Sequence, residues 1–312
     1  MALSRIWPII LTISIFVVIF LRIPFDRFLV ALAGARLLPF FALMAAFSLF
    51  YFAMDTFILL KMIRWFHGPL SYRDLLPARA STYLVSIVNT QLAQGALALY
   101  IHRRFLTPLG EITGTVAVLI LLEVTQLVLF ATAAMLSLPS GIPRELFLAP
   151  LALAAAWAAL VLLLRGPAES SLRGLSRLRR SAIFRTFREA RPAQLLAILA
   201  LKAPAFVAGV LVHHSALGLF GIHIPILRLF AFLPIVFMVA ALPITVAHLG
   251  TSQAAWIFFF ADRAPEANLL AYSLASHLTF MLANGTLGLV FLPRAYAELF
   301  GSRAAAERRS AP

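Results

Sequence analysis

Apolar runs of membrane-spanning length recur from one end of this 312-residue chain to the other. Each is near the roughly 20 residues a helix needs to cross about 30 Å of hydrocarbon. The clearest are Ile6 to Leu21, Leu37 to Leu60, Ile112 to Leu138, Leu146 to Leu164, Leu195 to Leu219, Ile226 to Pro243 and Asn268 to Leu292. A composition of 62% hydrophobic and 12% charged residues excludes a water-soluble globule. The expected fold is an all-α polytopic membrane protein, a bundle of about 7–8 transmembrane helices. Residues 1–300 read as a single integral membrane domain and 301–312 as a cytoplasmic tail. The first run is flanked by Arg5, Arg22 and Asp26, and the nearest small-x-small site, Ala31-Leu32-Ala33, lies beyond those charges. It reads as an uncleaved anchor rather than a signal peptide.

Charge sets the expected orientation. The net charge is 26 − 12 = +14, which in a soluble chain would indicate a nucleic-acid partner. Here the basic residues collect between apolar runs, so no nucleic acid is expected. The one long polar insertion, residues 165–193, carries Arg165, Arg173, Arg177, Arg179, Arg180, Arg185, Arg188 and Arg191 against Glu169 and Glu189. The positive-inside rule makes it cytoplasmic. It should share that side with Lys61, Arg64, Arg73, Arg79, Arg103 and Arg104, and with Arg294, Arg303, Arg308 and Arg309. The expected location is therefore the cytoplasmic (inner) membrane, crossed several times. Arg173, Arg177 and Arg180 interleave with Leu172, Leu175, Leu178, Ile183, Phe184 and Phe187. That pattern fits an amphipathic helix on an anionic leaflet, or a solvated loop that simply obeys the orientation rule.

Two segments fit poorly as ordinary spans. Residues 81–100 read STYLVSIVNTQLAQGALALY, with Asn89, Thr90, Gln91, Gln94 and Gly95 at the middle. Residues 242–261 read LPITVAHLGTSQAAWIFFFA, with Pro243, Thr245, His248, Gly250, Thr251, Ser252 and Gln253 before an aromatic run. They occupy similar positions in the two halves, the signature of broken or re-entrant helices in pseudo-repeats. A helix that breaks in the bilayer frees N–H and C=O groups that cost several kcal/mol each unless protein or water pairs them. Irregular backbone of this kind lines a cavity, or else its polar side chains bind neighbouring helices together.

Ionisable residues within or beside the runs are Asp55, Glu123, Lys202, His213, His214, His248 and His277. An unpaired charge at the bilayer centre costs at least about 2.5 kcal/mol, so each must pair, neutralise or face water. Glu123 shares a helix face with Gln126 and is the first choice for a functional acid; the alternative is a protonated or Lys-paired structural carboxyl. Lys202 can snorkel, pair with Glu123 or bind a lipid phosphate. Asp55 is expected to reach Lys61 or Arg64, and His213 and His214 to lie at the interface. Arg228 either snorkels or gathers anionic head groups. Gly110 and Gly114 form a small-x-x-x-small pattern that lets helices approach.

No Cys is present, which removes disulfides, thiolate metal sites and cysteine nucleophiles. No HExxH, P-loop, GxGxxG or Asp-rich cluster occurs, so no metal, no cofactor and no enzymatic activity are expected. One partial match, Gly250-Thr251-Ser252-Gln253-Ala254 with His277 as base, would make an intramembrane Ser/His hydrolase, the least favoured alternative.

Arg64-Trp65, Tyr83…Asn89…Gly95 followed by Arg103-Arg104, Leu119 to Gln126 with Glu123, and Leu242-Pro243-Ile244…Leu249-Gly250-Thr251-Ser252-Gln253 together resemble the lysylphosphatidylglycerol synthase transmembrane-region family, a flippase-like module. The family pattern at the last site is similar to P-x-x-x-x-G-L-G-x-x-E, with a Gly-Glu pair after the Asn segment. Here His248 stands for the first Gly, Gln253 for the Glu, and Ala96 follows Gly95. Both family carboxylates are therefore neutral, leaving Glu123 as the main acid. The resemblance implies a helical bundle with paired re-entrant helices that handles a phospholipid or polyprenyl-linked lipid. It does not carry over aminoacyl transfer, which needs a separate soluble domain.

The function expected from these readings is a flippase-like transporter of an anionic phospholipid or polyprenyl-linked lipid. Its polar path would be Asn89, Gln91, Gln94, Glu123, Lys202, His248, Thr251, Ser252 and Gln253. The alternative is a non-transporting scaffold that docks a lipid-modifying or glycosyl-transferring membrane enzyme through the arginine-rich loop.

Overall fold

The computed structural model describes residues 3–138, 143–165, 179–242 and 244–310, and among them the chain is helical without strands. The helices are α1 (Leu3–Arg22), α2 (Phe25–Ala33), α3 (Leu37–Phe66), α4 (Tyr72–Val88), α5 (Thr90–Phe105), α6 (Leu109–Leu136) and α7 (Leu148–Arg165), followed by α8 (Arg185–Glu189), α9 (Pro192–Gly218), α10 (Ile226–Ala240), α11 (Thr251–Phe260) and α12 (Glu266–Ser310). Five of them, α3, α6, α7, α9 and α12, are long and apolar enough to cross a membrane, and α1 and α2, bent by 86° at the break between them, make a sixth when the pair is counted as one span. The chain is a multi-pass, all-α membrane protein.

Contacts order the helix ends into two sets. At one end Arg22 pairs with Glu266, the Arg36 N–H donates to the Leu219 carbonyl, and Arg228 donates to Asp262. At the other end lie Arg64, Arg73, Arg104, Arg185, Arg188 and Arg294, which makes this the more basic end.

Between these ends run two hairpins that do not cross. In α4 and α5, Arg294 of α12 donates to the Arg73 carbonyl at the start of α4 (3.4 Å), while Tyr100 near the end of α5 donates to Glu298, also of α12 (2.9 Å). The chain thus enters and leaves at the basic end. Asn89 turns it: the residue is extended (φ −162°), and its Oδ1 accepts the Leu92 N–H at 2.9 Å, capping the helix it starts. Gly288 lets α4 lie against α12, since a Cβ there would stand 2.8 Å from the Ala80 carbonyl oxygen.

The second hairpin, α10 and α11, enters from the opposite end. Arg228 at its start bonds Asp262 just beyond its finish (2.7 Å), and Phe232 stacks on Phe259 with centroids 5.2 Å apart. Its turn is irregular, with Ala247, His248 and Gly250 all at positive φ (51°, 59° and 88°). Gly250 suits its place twice: its φ favours glycine, and a Cβ would meet Ile15 of α1 at 3.0 Å. The two tips meet inside the bundle, where Thr90 Oγ1 lies 2.9 Å from His248 Nε2 and Gln91 Nε2 donates to the Ala241 carbonyl at 2.8 Å.

These contacts support the expectation of two broken, re-entrant segments in matching positions. They also correct it in detail. The run Ile226 to Pro243 is half of a hairpin and no crossing, because α10 ends at Ala240 and the chain turns back; Pro243 itself lies outside the described residues. Gly110 and Gly114 admit no helix. A Cβ on Gly114 would lie 2.0 Å from the Ile183 carbonyl oxygen, so the short 3-10 turn Ala182–Phe184 seats there. Phe187 packs against the apolar cluster that contains Phe66 and Ile198, so this stretch rests on the bundle through that side chain. Arg180 is exposed, while Arg173 and Arg177 lie outside the described residues.

A polar chain clasps that stretch to α6: His67 Nε2 is 2.7 Å from Thr115 Oγ1, which is 2.7 Å from Thr186 Oγ1, and Arg185 pairs with Glu111. Burial pushes the His67 pKa below its usual value, against a smaller opposing pull from Glu111. A lowered histidine pKa means that the docked state resists the proton. Its contribution is therefore complete above about pH 6.5 and is lost as pH falls from there through the lowered value. Amide exchange across residues 182–189 should accelerate between pH 7 and pH 5.5, after correction for intrinsic rates, and the acceleration should vanish in His67→Gln.

The hairpins can be tested separately. With no native cysteine to interfere, single cysteines at Ser71 and Thr107 should label with an impermeant maleimide from one side of sealed vesicles. Cysteines at His223 and Asp262 should label only from the other.

Candidate functional site

The middle of the bundle holds four charged side chains in two pairs. Asp55 projects from α3, Arg79 from α4, Glu123 from the centre of α6 and Lys202 from α9. Arg79 bonds Asp55, which also accepts the Tyr83 hydroxyl at 3.1 Å, and the Arg79 guanidinium lies 5.4 Å from the Tyr83 ring centroid. Lys202 Nζ donates to Glu123 at 2.9 Å. The four charges, together with Gln94 of α5, border a cavity of about 30 Å³, room for one or two water molecules. Its apolar walls include Leu97, Leu119 and Ile120.

Pairing is what makes such a cluster tolerable. An isolated ion in this medium costs several kcal/mol, and mutual attraction offsets this only where geometry and further hydrogen bonds are good. Asp55 and Arg79 meet that condition, with side chains 13% and 14% exposed. The second pair is lopsided: the Lys202 side chain is 9% exposed, whereas Glu123 is 46% exposed. Ile120 and Val124 beside it are exposed as well, so this stripe of α6 faces the surrounding hydrocarbon. Glu123 is thus the most exposed of the four charged side chains at the cavity.

Of the residues expected to form the polar path, the structure brings three together at this cavity: Gln94, Glu123 and Lys202. The others sit at the hairpin tips with local work. Asn89 caps α5, Gln91 holds Ala241, and His248 bonds Thr90. Thr251 donates to the His248 carbonyl at 3.1 Å, and Gln253 Oε1 accepts the Gly250 N–H at 2.7 Å. Four buried polar atoms around these tips have no hydrogen-bond partner: His248 Nδ1, Gln253 Nε2, His277 Nε2 and Asn284 Oδ1. Ser252 is buried and forms no hydrogen bond with His277, the contact a serine nucleophile would need. No group of three or more metal-ligating side chains occurs among the described residues.

Other assignments change. Asp55 pairs with Arg79 rather than Lys61 or Arg64, because α4 runs back into the bundle and carries Arg79 with it. Arg79 accordingly leaves the cytoplasmic group. His213 is buried against Tyr272 instead of lying at an interface, while His214 is exposed. Arg228 is engaged by Asp262. Asp55, left out of the expected polar path, belongs to the site, and so do Arg79 and Tyr83, which sequence reasoning missed. The signal was their spacing of four, one helix face, hidden by the polar start of α4, which resembles a loop.

Fold and site together define a helical membrane protein built around two opposed re-entrant hairpins and a paired intramembrane charge cluster. No known family and no curated protein matches the chain.

Because a lone buried charge is worse than none, Arg79→Met and Asp55→Leu should each lower stability by about 3 kcal/mol. The double variant should recover much of that loss in thermal unfolding of the detergent-solubilised protein; additive losses would show that the two side chains do not depend on each other.

Proposed function

We propose that this protein is a flippase-like transporter that moves an anionic phospholipid or a polyprenyl-linked lipid between the leaflets of the cytoplasmic membrane, with its basic end on the cytoplasmic side. One observation carries the reading: a buried ammonium, Lys202, sits at mid-bundle behind a half-exposed carboxylate on a face open to hydrocarbon. A head group crossing the bilayer needs a polar stop in a region where charge is otherwise excluded. Lys202 and the Gln94 amide supply donors for a phosphate, and Arg79 adds positive potential from across the cavity. The opposed hairpins support the same reading, since broken helices at mid-membrane belong to transporters that pass a ligand between repeats.

The role of the hairpins is to put polar side chains at the centre of the membrane without leaving backbone groups bare. Intramembrane position therefore comes from the fold, and affinity for the phosphate from the cation. In reconstituted vesicles, Lys202→Met should slow movement of a fluorescent phosphatidylglycerol about tenfold or more, the loss expected for one charge-assisted hydrogen bond. Wild-type movement in that variant would contradict the assignment.

A further inference from the structure

The two ion pairs differ in how firmly each carboxylate is held. Asp55 is fastened twice, by Arg79 and by the Tyr83 hydroxyl, and is nearly buried. Glu123 has one partner, Lys202, and stands at the lip of the cavity with almost half its side chain exposed. Of the four charged groups it is the one able to leave. Lys202 in turn has three N–H donors and spends one of them, on Glu123. The cavity beside it is lined by Gln94, Leu119 and Ile120.

We propose that Glu123 is an exchange gate: its carboxylate holds the position on Lys202 that a lipid phosphate takes during transport, swings out along the α6 stripe when the phosphate arrives, and returns to expel it. This rests on the lipid-handling reading above and specifies how that site is filled and emptied. A carboxylate and a phosphate diester are both monoanionic oxygen acceptors for an ammonium, so one can stand in for the other. The exchange keeps the buried Lys202 ammonium paired throughout, so the cost of an unpaired charge falls on the half-exposed Glu123 and draws it back when the phosphate leaves. Outward, Glu123 lies between Ile120 and Val124, at the edge from which a lipid would approach. Glu123 is thus a positioning residue that sets residence time, whereas Lys202 makes the binding contact.

The consequence is a split between binding and turnover. Replacing Glu123 by a neutral isostere removes the competitor, so anionic lipid should be held more tightly and released more slowly. The test uses the purified full-length chain, with retained lipid measured by native mass spectrometry in phosphatidylglycerol and phosphatidylcholine mixtures, alongside movement of labelled phosphatidylglycerol in vesicles. Glu123→Gln should retain phosphatidylglycerol about tenfold more than wild type and move it more slowly, whereas Lys202→Met should lose both properties. Glu123→Asp keeps the charge on a shorter arm; it should fall between wild type and Glu123→Gln, and it serves if the latter fails to fold. Retention that falls in Glu123→Gln or Glu123→Asp, as it does in Lys202→Met, would overturn the gate while leaving the lipid site standing. No preference for phosphatidylglycerol over phosphatidylcholine in wild type or any folded variant would remove the lipid reading itself.

Discussion

Everything in this molecule depends on how backbone groups are satisfied where helices stop inside the bundle. A helix that crosses completely leaves its ends in water, but one that turns back at mid-depth leaves unpaired N–H and C=O groups in a medium that cannot hydrate them. The chain meets this at both turns with side chains. Asn89 caps α5, Gln253 reaches back to the Gly250 N–H, and Gln91 covers a carbonyl at the end of α10. Thr12 of α1 accepts the Val246 N–H at 3.0 Å. Each tip completes the other, so the polar residues that look costly in the sequence are what allow the helices to break.

The charge cluster follows from that geometry. Because α4 re-enters instead of ending at the surface, it carries Arg79 to Asp55 on α3. The opposing hairpin fills the remaining depth, and α12 runs past both, with Gly288 permitting close approach to α4. Electrostatics and packing are joined here: loss of the first hairpin would expose a carboxylate in hydrocarbon, and loss of Arg79 would weaken the reason for the hairpin to stay.

Much of the architecture could be read from residue order alone. Long apolar runs define crossings, and the interrupted segments around Asn89 and His248 mark the breaks, because both signals come from local composition. The pairing of Glu123 with Lys202 was among the alternatives, since two opposite charges in separate apolar runs have few other partners. The Asp55 contact was not legible, because Arg79 lies in a polar stretch and only the return of α4 brings it inward. The run from Ile226 was misleading for a similar reason: hydrophobicity reports that a segment is buried in lipid or protein, not whether it emerges on the far side. Gly110 and Gly114 announce a close approach without naming what approaches, and a 3-10 turn proves to be the occupant.

The meeting of the two tips is the central claim, and spin labels at Leu92→Cys and Leu242→Cys test it most directly. Both side chains are exposed, so labels there leave the packed interior intact. Tips in contact require dipolar broadening in the doubly labelled protein that is absent from either single label. A doubly labelled spectrum equal to the sum of the two singles would place the tips apart and contradict the account.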